Sequence, residues 1–387
     1  MATYDWIVVG GGITGAALAY ELRRLSFTVL LLEQNAIPDN ATRYSYGGLA
    51  YWSGTSELTR VLCQEGKEIH LHLSEELEGD TQFRELDLLL TIDQNDDPQA
   101  KADEYARFAI PATLLSVEEA CQMEPLLNKE AIAAALTVRH GHINPDKTTQ
   151  AYLQAFRRAG GEVQIAQVGE LLRSGNQIKG VKTPQQNYYA ANTVVCAGGL
   201  SRALLKVSGI HVPLYFTRAE MIETPVVEAK LQTIVMPADT KRFQIEAQAS
   251  TADLEPLWDE PDHELVPAII DASVVQFIDG SLRIGQISRV LTNPYAQVSR
   301  EQSEATIRRQ VGQVLPVIEN LPGIWHDCLV AFSNNNLPVV GSIAGVEGVY
   351  VFSGFTNPLV FVPPLAKRFA NWVAGGEDGI LEELSPG

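Results

Sequence analysis

The amino-acid sequence predicts an α/β protein in which a domain built on a parallel sheet is joined to an α+β domain built on an antiparallel sheet. Three observations carry this prediction: an N-terminal strand–helix–strand unit, a second helix–strand unit in the middle of the chain, and a change to alternating strands between Pro213 and Asn293. Strands that alternate with helices are typical of parallel sheets, and consecutive strands with tight turns are typical of antiparallel ones. The 387 residues are enough for two such domains.

The N-terminal unit begins with an apolar strand over residues 5–9. It continues into a helix through ITGAALAYELRRL, where Ile13, Ala17, Tyr20 and Leu25 recur near helical spacing. The apolar run FTVLLLEQ then predicts a second strand that ends at an acidic residue. Because the connections are short, we expect the two strands to pair in parallel.

The middle of the chain repeats this alternation of helices and strands. A long helix is predicted from Ser56 to Leu77, and QNDDPQAKADE predicts an exposed loop followed by a helix start. NPDKTTQAYLQAFRRAGGEVQIAQVGEL predicts a helix, a Gly-Gly stop and a strand. NTVVCAGGLSRALL adds a strand that ends in small residues before another helix. We expect these last two segments to join the first sheet.

The antiparallel part is indicated by VVQFIDGSLRIGQI, where Asp-Gly lies between two strand-like arms as a hairpin turn. SREQSEATIRRQVGQVLPVI predicts an amphipathic helix after it. The chain then returns to strands, the last of them at Val349–Ser353.

An uncharged run near the C-terminus, GVYVFSGFTNPLVFVPPLAKR, is about as long as a membrane-crossing helix. Gly354, Pro363 and Pro364 interrupt it, and Asn357 offers an N-cap before Pro358, which suits the first turn of a helix. The run therefore predicts a strand, a turn and a buried helix whose start is distorted by the later prolines, and no membrane span.

Composition narrows the function classes. The chain has 47 acidic residues against 29 Lys and Arg, a net charge of -18, which argues against nucleic acid and anionic membrane surfaces as partners. Four cysteines without a CxxC motif argue against a disulfide framework or a zinc site and favour a reducing compartment. The N-terminus has no signal-peptide pattern, so the expected location is the cytoplasm.

The most specific motif is Gly10-x-Gly12-x-x-Gly15, which follows a strand and opens a helix, with Glu33 ending the next strand. Gly10 permits the tight turn, Gly12 lets the backbone approach a pyrophosphate, and Gly15 lets the helix pack closely on the strand. The helix N-terminus attracts phosphate, and Glu33 is suited to accept hydrogen bonds from ribose hydroxyls. The unit predicts a Rossmann-like site for an adenine dinucleotide.

Four further segments resemble one family in that family's order. They are ATRYSYGGLAYW (41–52), GHINPDKTTQAYLQAFRRAGGEV, NTVVCAGGLS and NNNLPVVGSIAGVEGVYVFSGF. With the fingerprint, they make the chain similar over nearly its whole length to the D-amino acid oxidase family of FAD-dependent oxidoreductases, which includes glycine oxidase and sarcosine oxidase.

The resemblance implies a discontinuous FAD-binding domain from residues 1–80, 145–210 and 326–387, and a substrate domain from 81–144 and 211–325. It implies noncovalent FAD, with these contact residues: Gly10, Gly12, Ile13, Thr14, Gly15, Glu33, Gln34, Arg43, Ser45, Gly47, Gly48, Val168, Ala197, Gly198, Gly354, Phe355, Thr356, Asn357 and Leu359.

The implied activity is oxidation of a small amine or amino acid by hydride transfer to the flavin, with oxygen or an external acceptor taking the electrons. The 41–52 loop is also similar to that of flavin dehydrogenases of hydroxy compounds, such as 2-hydroxy acids or glycerol phosphate. A non-catalytic flavoprotein is the third alternative.

The sequence departs from the family at several positions. Val330-Ala331-Phe332-Ser333 stands where many relatives carry a carboxylate-binding arginine or a flavin-bonding cysteine, and Cys328 is offset by about two residues from that place. Asn335 replaces an acidic residue, and Thr356-Asn357-Pro358-Leu359 replaces a glycine-rich turn. Arg283 stands where sarcosine oxidases have an oxygen-activating lysine, so the electron acceptor is left open.

The candidate substrate contacts are aromatic and basic residues near the loop and on the second sheet: Arg283, Arg218, Tyr46, Tyr51, Trp52, Tyr215 and His140. For the aromatic residues, packing is an equal alternative, and the arginines could instead pair with acids across a sheet. The pairs His140/His142 and His70/His72 do not predict a metal site, because the latter two point apart on a helix.

Overall fold

The protein is described by a computed structural model that covers residues 3–239 and 241–386. Its strands are β1 (Thr3–Val9), β2 (Val29–Glu33), β3 (Gly48–Leu49), β4 (Arg84–Asp93), β5 (Thr113–Leu115), β6 (Ile132–His142), β7 (Glu162–Ile165), β8 (Glu170–Ser174), β9 (Gln177–Lys182), β10 (Asn187–Val195), β11 (Leu214–Glu223), β12 (Ile234–Pro237), β13 (Glu264–Gln276), β14 (Leu282–Leu291), β15 (Ile324–Ser333), β16 (Val339–Ser342) and β17 (Val349–Ser353).

The α-helices are α1 (Ile13–Arg24), α2 (Ala41–Tyr44), α3 (Glu57–Glu76), α4 (Pro98–Tyr105), α5 (Val117–Met123), α6 (Pro145–Arg158), α7 (Ser201–Val207), α8 (Lys241–Ala249), α9 (Arg300–Val314), α10 (Pro358–Val373) and α11 (Gly379–Leu384). Short 3₁₀ turns lie at Lys129–Ala131, Gly198–Leu200, Glu255–Asp259 and Pro316–Ile318.

The first sheet has the order β16-β17-β10-β1-β2-β7, and its central pairs β17-β10-β1-β2-β7 are parallel. Its centre is buried on both faces, which explains why β1 ends in the apolar run Trp6–Val9. Trp6 and Val8 pack into the core beneath α1, α6 and α10, while Ile7 and Val9 pack into a second core with α7. Covering both faces of a parallel sheet in this way is the arrangement that such runs predict.

The second sheet has the order β15-β11-β14-β13-β12-β4-β6-β3, with β5 beside β6. Its pairs are antiparallel except for β12 and β4. The core against α9 and the core against α8 contain different residues of these strands. The predicted fold class, a parallel-sheet domain with an antiparallel-sheet domain, is confirmed.

Several predicted elements are reproduced closely. The helix expected from Ser56 to Leu77 spans Glu57–Glu76, and Ser56 caps it in a reciprocal capping box with Thr59. The Asp-Gly segment joins β13 and β14, whose ends pair at Gln276 and Leu282. These elements are decided by neighbouring residues, so they can be predicted locally.

Two interpretations of the sequence need correction. The region from Pro213 to Asn293 was expected to contain strands, but it also forms α8, which packs on β13 and β14. β15 pairs with β11 of the second sheet along its whole length, Ile324–Ser333, although the predicted first domain resumes at residue 326. The domain limits stay a prediction.

Helix α10 continues through Pro363 and Pro364, and His70 explains how it does so. A proline cannot donate to the carbonyl four residues before it, so Pro363 leaves the carbonyl of Leu359 without its helical partner. The His70 Nε2–H of α3 donates to that carbonyl at 2.6 Å. Burial lowers the pKa of His70 to about 4, which keeps the imidazole neutral in this role.

The start of α10 differs from the prediction. Asn357 occupies the N-cap position, but among the described residues its side chain makes no capping hydrogen bond. Its Nδ2 donates instead to the carbonyl of Ala50 at 3.5 Å. Asn357 thus connects the turn before α10 to the loop after α2 (residues 45–52). It can do so because Pro358 suits the first turn of the helix without a side-chain cap.

We expect His70→Leu to lower the free energy of unfolding by about 1–3 kcal/mol, the usual cost of leaving a buried carbonyl unsatisfied. Urea unfolding measures this loss. His72→Leu is the matched control, since His72 lies two residues along the same helix and is exposed. Equal stability of the two variants would contradict the assigned role of His70.

Candidate active site

The glycine-rich turn packs against the ends of β1 and β10 with almost no free space. Gly10 has φ +111°, and a Cβ there would lie 2.5 Å from the carbonyl oxygen of Cys196 at the end of β10. A Cβ at Gly15 would lie 1.9 Å from the carbonyl oxygen of Gly10. Both positions therefore require glycine, and Thr14 adds a hydrogen bond from Oγ1 to the Cys196 carbonyl at 3.4 Å.

The N-terminus of α1 is open to an anion. Gly12 is its N-cap residue and has no side chain with which to cap it, and within residues 3–239 and 241–386 no acid lies in its first turn. The hydroxyl of Thr42 lies over this end and accepts from the N–H of Ile13 at 3.1 Å. Thr42 was absent from the predicted contacts, because its position depends on how the loop after β2 folds back.

Glu33 lies beside this helix end at a cavity of about 90 Å³. Its two carboxylate oxygens accept from the N–H groups of Gly11 at 2.6 Å and Asn35 at 3.0 Å, which fixes the direction of the side chain. Each oxygen retains a free acceptor site for a hydroxyl group. Asn40, Thr42 and Arg43 line the same cavity, and the neighbouring Gln34 is exposed.

The predicted contacts at the neighbouring strand end have room for a ligand. Val168 and Ala197 are half-buried in the same apolar cluster. Gly198 has φ +53°, and no atom of the described chain lies within 4 Å of the Cβ position there. The glycine-rich turn, the helix end and the oriented carboxylate together fit a dinucleotide; Glu33 would lie at the ribose and the start of α1 at the pyrophosphate.

Two histidines of β6, His140 and His142, contact the loop after α2. A Cβ at Gly48 would lie 2.7 Å from His140 Nε2, and one at Gly47 would lie 2.2 Å from the Ile143 carbonyl. His142 Nε2–H donates to the Tyr46 carbonyl at 3.1 Å. Trp52 Nε1–H donates to His140 Nδ1 at 2.9 Å. Burial lowers the pKa of both histidines to about 3, so both are neutral and support the loop.

Arg43 and Arg283 enclose one carboxylate between the loop and the second sheet. Arg43 binds Glu223 through both guanidinium nitrogens at 2.9 Å. Arg283, opposite Glu223 on β14, approaches the same carboxylate at 3.5 Å and donates to the Ser45 carbonyl. Its guanidinium also lies 4.5 Å from the Phe277 ring centroid. These ion pairs of Glu223 therefore connect α2 and the loop after it to the second sheet, and Arg283 is buried in the contact.

Of the predicted substrate contacts, the structure brings Tyr46 and Arg283 together. A Cβ at Gly285 of β14 would lie 3.1 Å from the Tyr46 hydroxyl, so glycine makes room for the phenol. Burial raises the pKa of Tyr46, and the charge of Arg283 opposes that rise. Tyr46 belongs to the loop that the resemblance assigns to the flavin, and Arg283 contacts the same loop at the Ser45 carbonyl.

The other predicted substrate contacts have polar partners elsewhere. Arg218 pairs with Asp327 at 2.6 Å, and Tyr51 donates to Glu85 at 2.6 Å. Tyr215 donates to a carboxylate of the 3₁₀ turn after α8. Substrate contact by these three residues stays a prediction to which the geometry adds no support.

The C-terminal turn completes the site. Gly354 has φ +76°, and Phe355 is buried against Phe352 with ring centroids 4.9 Å apart. Thr356 donates to the Asn336 carbonyl at 3.0 Å and receives a hydrogen bond from Arg242 of α8 on its own carbonyl, at 3.4 Å. The turn thus lies between the loop after α2 and α8, a helix that the sequence interpretation missed.

Asn335, which replaces an acidic residue of the family, organises the loop before this turn. Its Oδ1 accepts from Ser333 Oγ and from the N–H of Leu337, both at 3.0 Å. A neutral amide serves this double acceptor role without placing a charge beside the turn.

Burial raises the pKa of the Cys328 thiol to about 12, which disfavours the nucleophilic thiolate needed for a covalent bond to flavin. In the part of the chain that the structure describes, no group of three or more potential ligand residues could hold a metal ion. Among the same residues, no helix has the length and apolarity needed to cross a bilayer.

Comparison with known proteins agrees with this geometry. Residues 5–372 match the family described as DAO, FAD dependent oxidoreductase. The chain is 23% identical to 4-methylaminobutanoate oxidase (formaldehyde-forming) of Paenarthrobacter nicotinovorans over 96% of its own length and 44% of that protein's. It is also 23% identical to human mitochondrial dimethylglycine dehydrogenase over 99% of its own length and 44% of the relative's. It therefore spans less than half of either relative.

Among solved structures, glycine oxidase from Geobacillus kaustophilus superposes with a TM-score of 0.82 at 20% identity. The superposition covers 100% of this chain and 99% of the other. At this level of identity the likeness establishes the fold.

Proposed function

Because this chain belongs to the DAO family of FAD-dependent oxidoreductases, we propose that it oxidises a small amine or amino acid at the carbon next to nitrogen. The observation that carries the proposal is the place of Tyr46 and Arg283. They lie where the second sheet meets the loop that would hold the flavin. The names of the two curated relatives, a methylamino acid oxidase and a dimethylglycine dehydrogenase, favour a C–N bond as the target.

The chemistry requires a substrate C–H bond over the flavin and a nitrogen whose lone pair is free when the C=N bond forms, so a substrate that binds as an ammonium ion must first release a proton to a base or to water. FAD, when bound, would supply the oxidising power as the acceptor of a hydride from the substrate carbon. The oxidised substrate, an imine, would then be hydrolysed by water to a carbonyl compound and an amine. The chain itself supplies the pyrophosphate cradle at Gly12, the ribose acceptor Glu33 and a fixed positive charge at Arg283. Oxygen or an external acceptor would remove the electrons afterwards.

We also propose that FAD is held without a covalent bond and that the enzyme works in a reducing compartment such as the cytoplasm. The high pKa of Cys328 supports the first statement. The four cysteines are unpaired in the described part of the chain, which supports the second.

We expect the purified protein to carry FAD that acid releases completely, and anaerobic mixing with an amine to bleach its absorbance. The panel comprises primary, secondary and tertiary amines, amino acids, 2-hydroxy acids and glycerol phosphate. Bleaching by hydroxy compounds alone would replace the proposal with a dehydrogenase of CH–OH groups. Bleaching by no member of the panel, while dithionite still reduces the flavin, would favour a non-catalytic flavoprotein.

A further inference from the structure

Four buried polar atoms belong to the loop after α2, to α8 and to β13. Within residues 3–239 and 241–386 none of them has a hydrogen-bond partner, and they are Tyr46 Oη, Glu246 Oε2, Asp271 Oδ1 and Ser273 Oγ. The Glu246 side chain is 1% exposed, and Ser273 is 2% exposed. Buried polar groups are nearly always paired in folded proteins, so a group of four without partners indicates a place for a ligand.

The strand register brings two of these residues, Ser273 and Tyr46, together. Ser273 of β13 pairs directly with Gly285 of β14, over which the Tyr46 hydroxyl lies. Asp271 lies two residues before Ser273, in the stretch of β13 where the register with β14 shifts. Its negative charge raises the pKa of Tyr46, as expected for a carboxylate close to the phenol.

Helix α8 closes this space from the other side. Thr217 of β11 donates to Glu246 Oε1 at 2.7 Å, which fixes the Glu246 carboxyl against the sheet. Arg242, one turn earlier, approaches the same oxygen at 3.8 Å and also contacts the Thr356 carbonyl. We refer to the region bounded by Tyr46, Asp271, Ser273 and Glu246 as the pocket; these residues belong to the loop after α2, the second sheet and α8.

The charges around the pocket are matched except at Asp271. Lys241 pairs with Asp239 at 3.2 Å, and Arg242 is the cation nearest Glu246. Arg43 and Arg283 both bind Glu223. In the described part of the chain Asp271 has no salt bridge, so one carboxylate faces the pocket without a cation.

Burial raises the pKa of Asp271 to about 6, with the charges of Arg242 and Lys241 opposing and those of Asp239 and Glu246 reinforcing the rise. The carboxyl group is therefore ionised above that pH and protonated below it. Asp271 is half-buried, and its Oδ1 is fully buried without a partner. Such an unpaired carboxylate oxygen is unfavourable, and a bound cation would relieve the cost.

We propose that Asp271 binds the ammonium group of a cationic substrate, with Tyr46, Ser273 and Glu246 completing the polar wall. This inference rests on the proposed function and narrows it: the substrate is a cationic amine, and a carboxylate on the substrate is not what the pocket recognises. The nearby guanidinium groups are already engaged by Glu223 and Glu246, whereas Asp271 offers the free charge.

Calorimetric titration of the holoenzyme with tetramethylammonium tests the proposal, because this cation keeps its charge at every pH. We expect Asp271→Asn to weaken its binding at pH 8 by about tenfold or more, which corresponds to the loss of at least about 1.4 kcal/mol. Asp271→Glu keeps the charge and is expected to retain most of the affinity. The matched control is Asp253→Asn, an exposed acid in the segment after α8. Pivalate, a similar shape with the opposite charge, is expected to bind weakly to the wild type and no more weakly to Asp271→Asn.

The pH profile gives a second readout. Affinity for tetramethylammonium is expected to be full well above the Asp271 pKa of about 6 and to fall about tenfold per pH unit below it. Asp271→Asn is expected to remove this dependence.

Two outcomes would overturn the inference: equal tetramethylammonium affinity of the wild type and Asp271→Asn, or tighter wild-type binding of pivalate. Amine-driven bleaching with either result would leave the proposed function standing without this cation site. Conversely, Asp271-dependent binding of tetramethylammonium without bleaching by any amine would remove the proposed function and keep the site.

Discussion

Gly15→Ala is expected to remove nearly all bound FAD and to destabilise the fold by at least about 3 kcal/mol, as an overpacking change that its surroundings cannot absorb. The new Cβ would lie 1.9 Å from the Gly10 carbonyl oxygen and 3.2 Å from a methyl group of Val8. Both neighbours belong to β1 and the turn after it, at the centre of the parallel sheet, so α1 would have to move.

Movement of α1 would separate its N-terminus from the loop that carries Thr42 and would spoil the pyrophosphate site. The ratio of FAD to protein after purification and the thermal unfolding temperature measure the two effects. Gly169→Ala is the matched control, because no described atom lies within 4 Å of the Cβ position there. A Gly15→Ala protein with full FAD content would show that the helix end does not hold the cofactor.

Arg283→Ala is expected to slow the reaction of the reduced enzyme with oxygen by roughly 100-fold, the usual loss when one preorganised electrostatic group is removed. Arg283 is 4% exposed, and it donates to the Ser45 carbonyl of the loop that would contact the flavin. The positive charge of Arg283 would stabilise the negative charge that develops beside the flavin during the reaction with oxygen. Because Arg43 still binds Glu223 through two hydrogen bonds, the variant should fold.

Rapid mixing of dithionite-reduced holoenzyme with oxygenated buffer measures this rate without knowledge of the substrate. Arg283→Lys keeps the charge and should recover most of the rate. Arg139→Ala, which removes an exposed partner of Asp87, should leave it unchanged. A rate for Arg283→Ala within about threefold of the wild type would contradict the electrostatic role, since a single removed donor is expected to cost far more.

The local elements were accessible from the sequence because adjacent residues decide them. The apolar run of β1 reports burial on both faces, the Ser56 capping box fixes the start of α3, and Asp-Gly fixes the β13–β14 hairpin. Gly10 and Gly15 could be assigned structural roles for the same reason: the motif specifies a turn that only glycine can form.

Other features depend on contacts between segments far apart in the chain. His70 was seen as one of two helix histidines, and its role became clear only when α3 met the Leu359 carbonyl freed by Pro363. Arg218 and Arg283 are both basic residues on strands of the second sheet, yet one pairs with Asp327 and the other reaches the flavin loop. The strand register gives the two arginines different neighbours, and that register cannot be predicted from composition.

The sequence alone determined the fold class, the dinucleotide turn and the family resemblance, since each rests on spacing within short segments. The tertiary structure decided which charges meet. Asp271 is an ordinary acid of a strand until Tyr46, which lies over Gly285 opposite Ser273, and the packing of α8 on β13 bury it in part. Burial then turns a solvated carboxylate into one that needs a cation, and that change in environment arises only when β13, α8 and the loop after α2 come together.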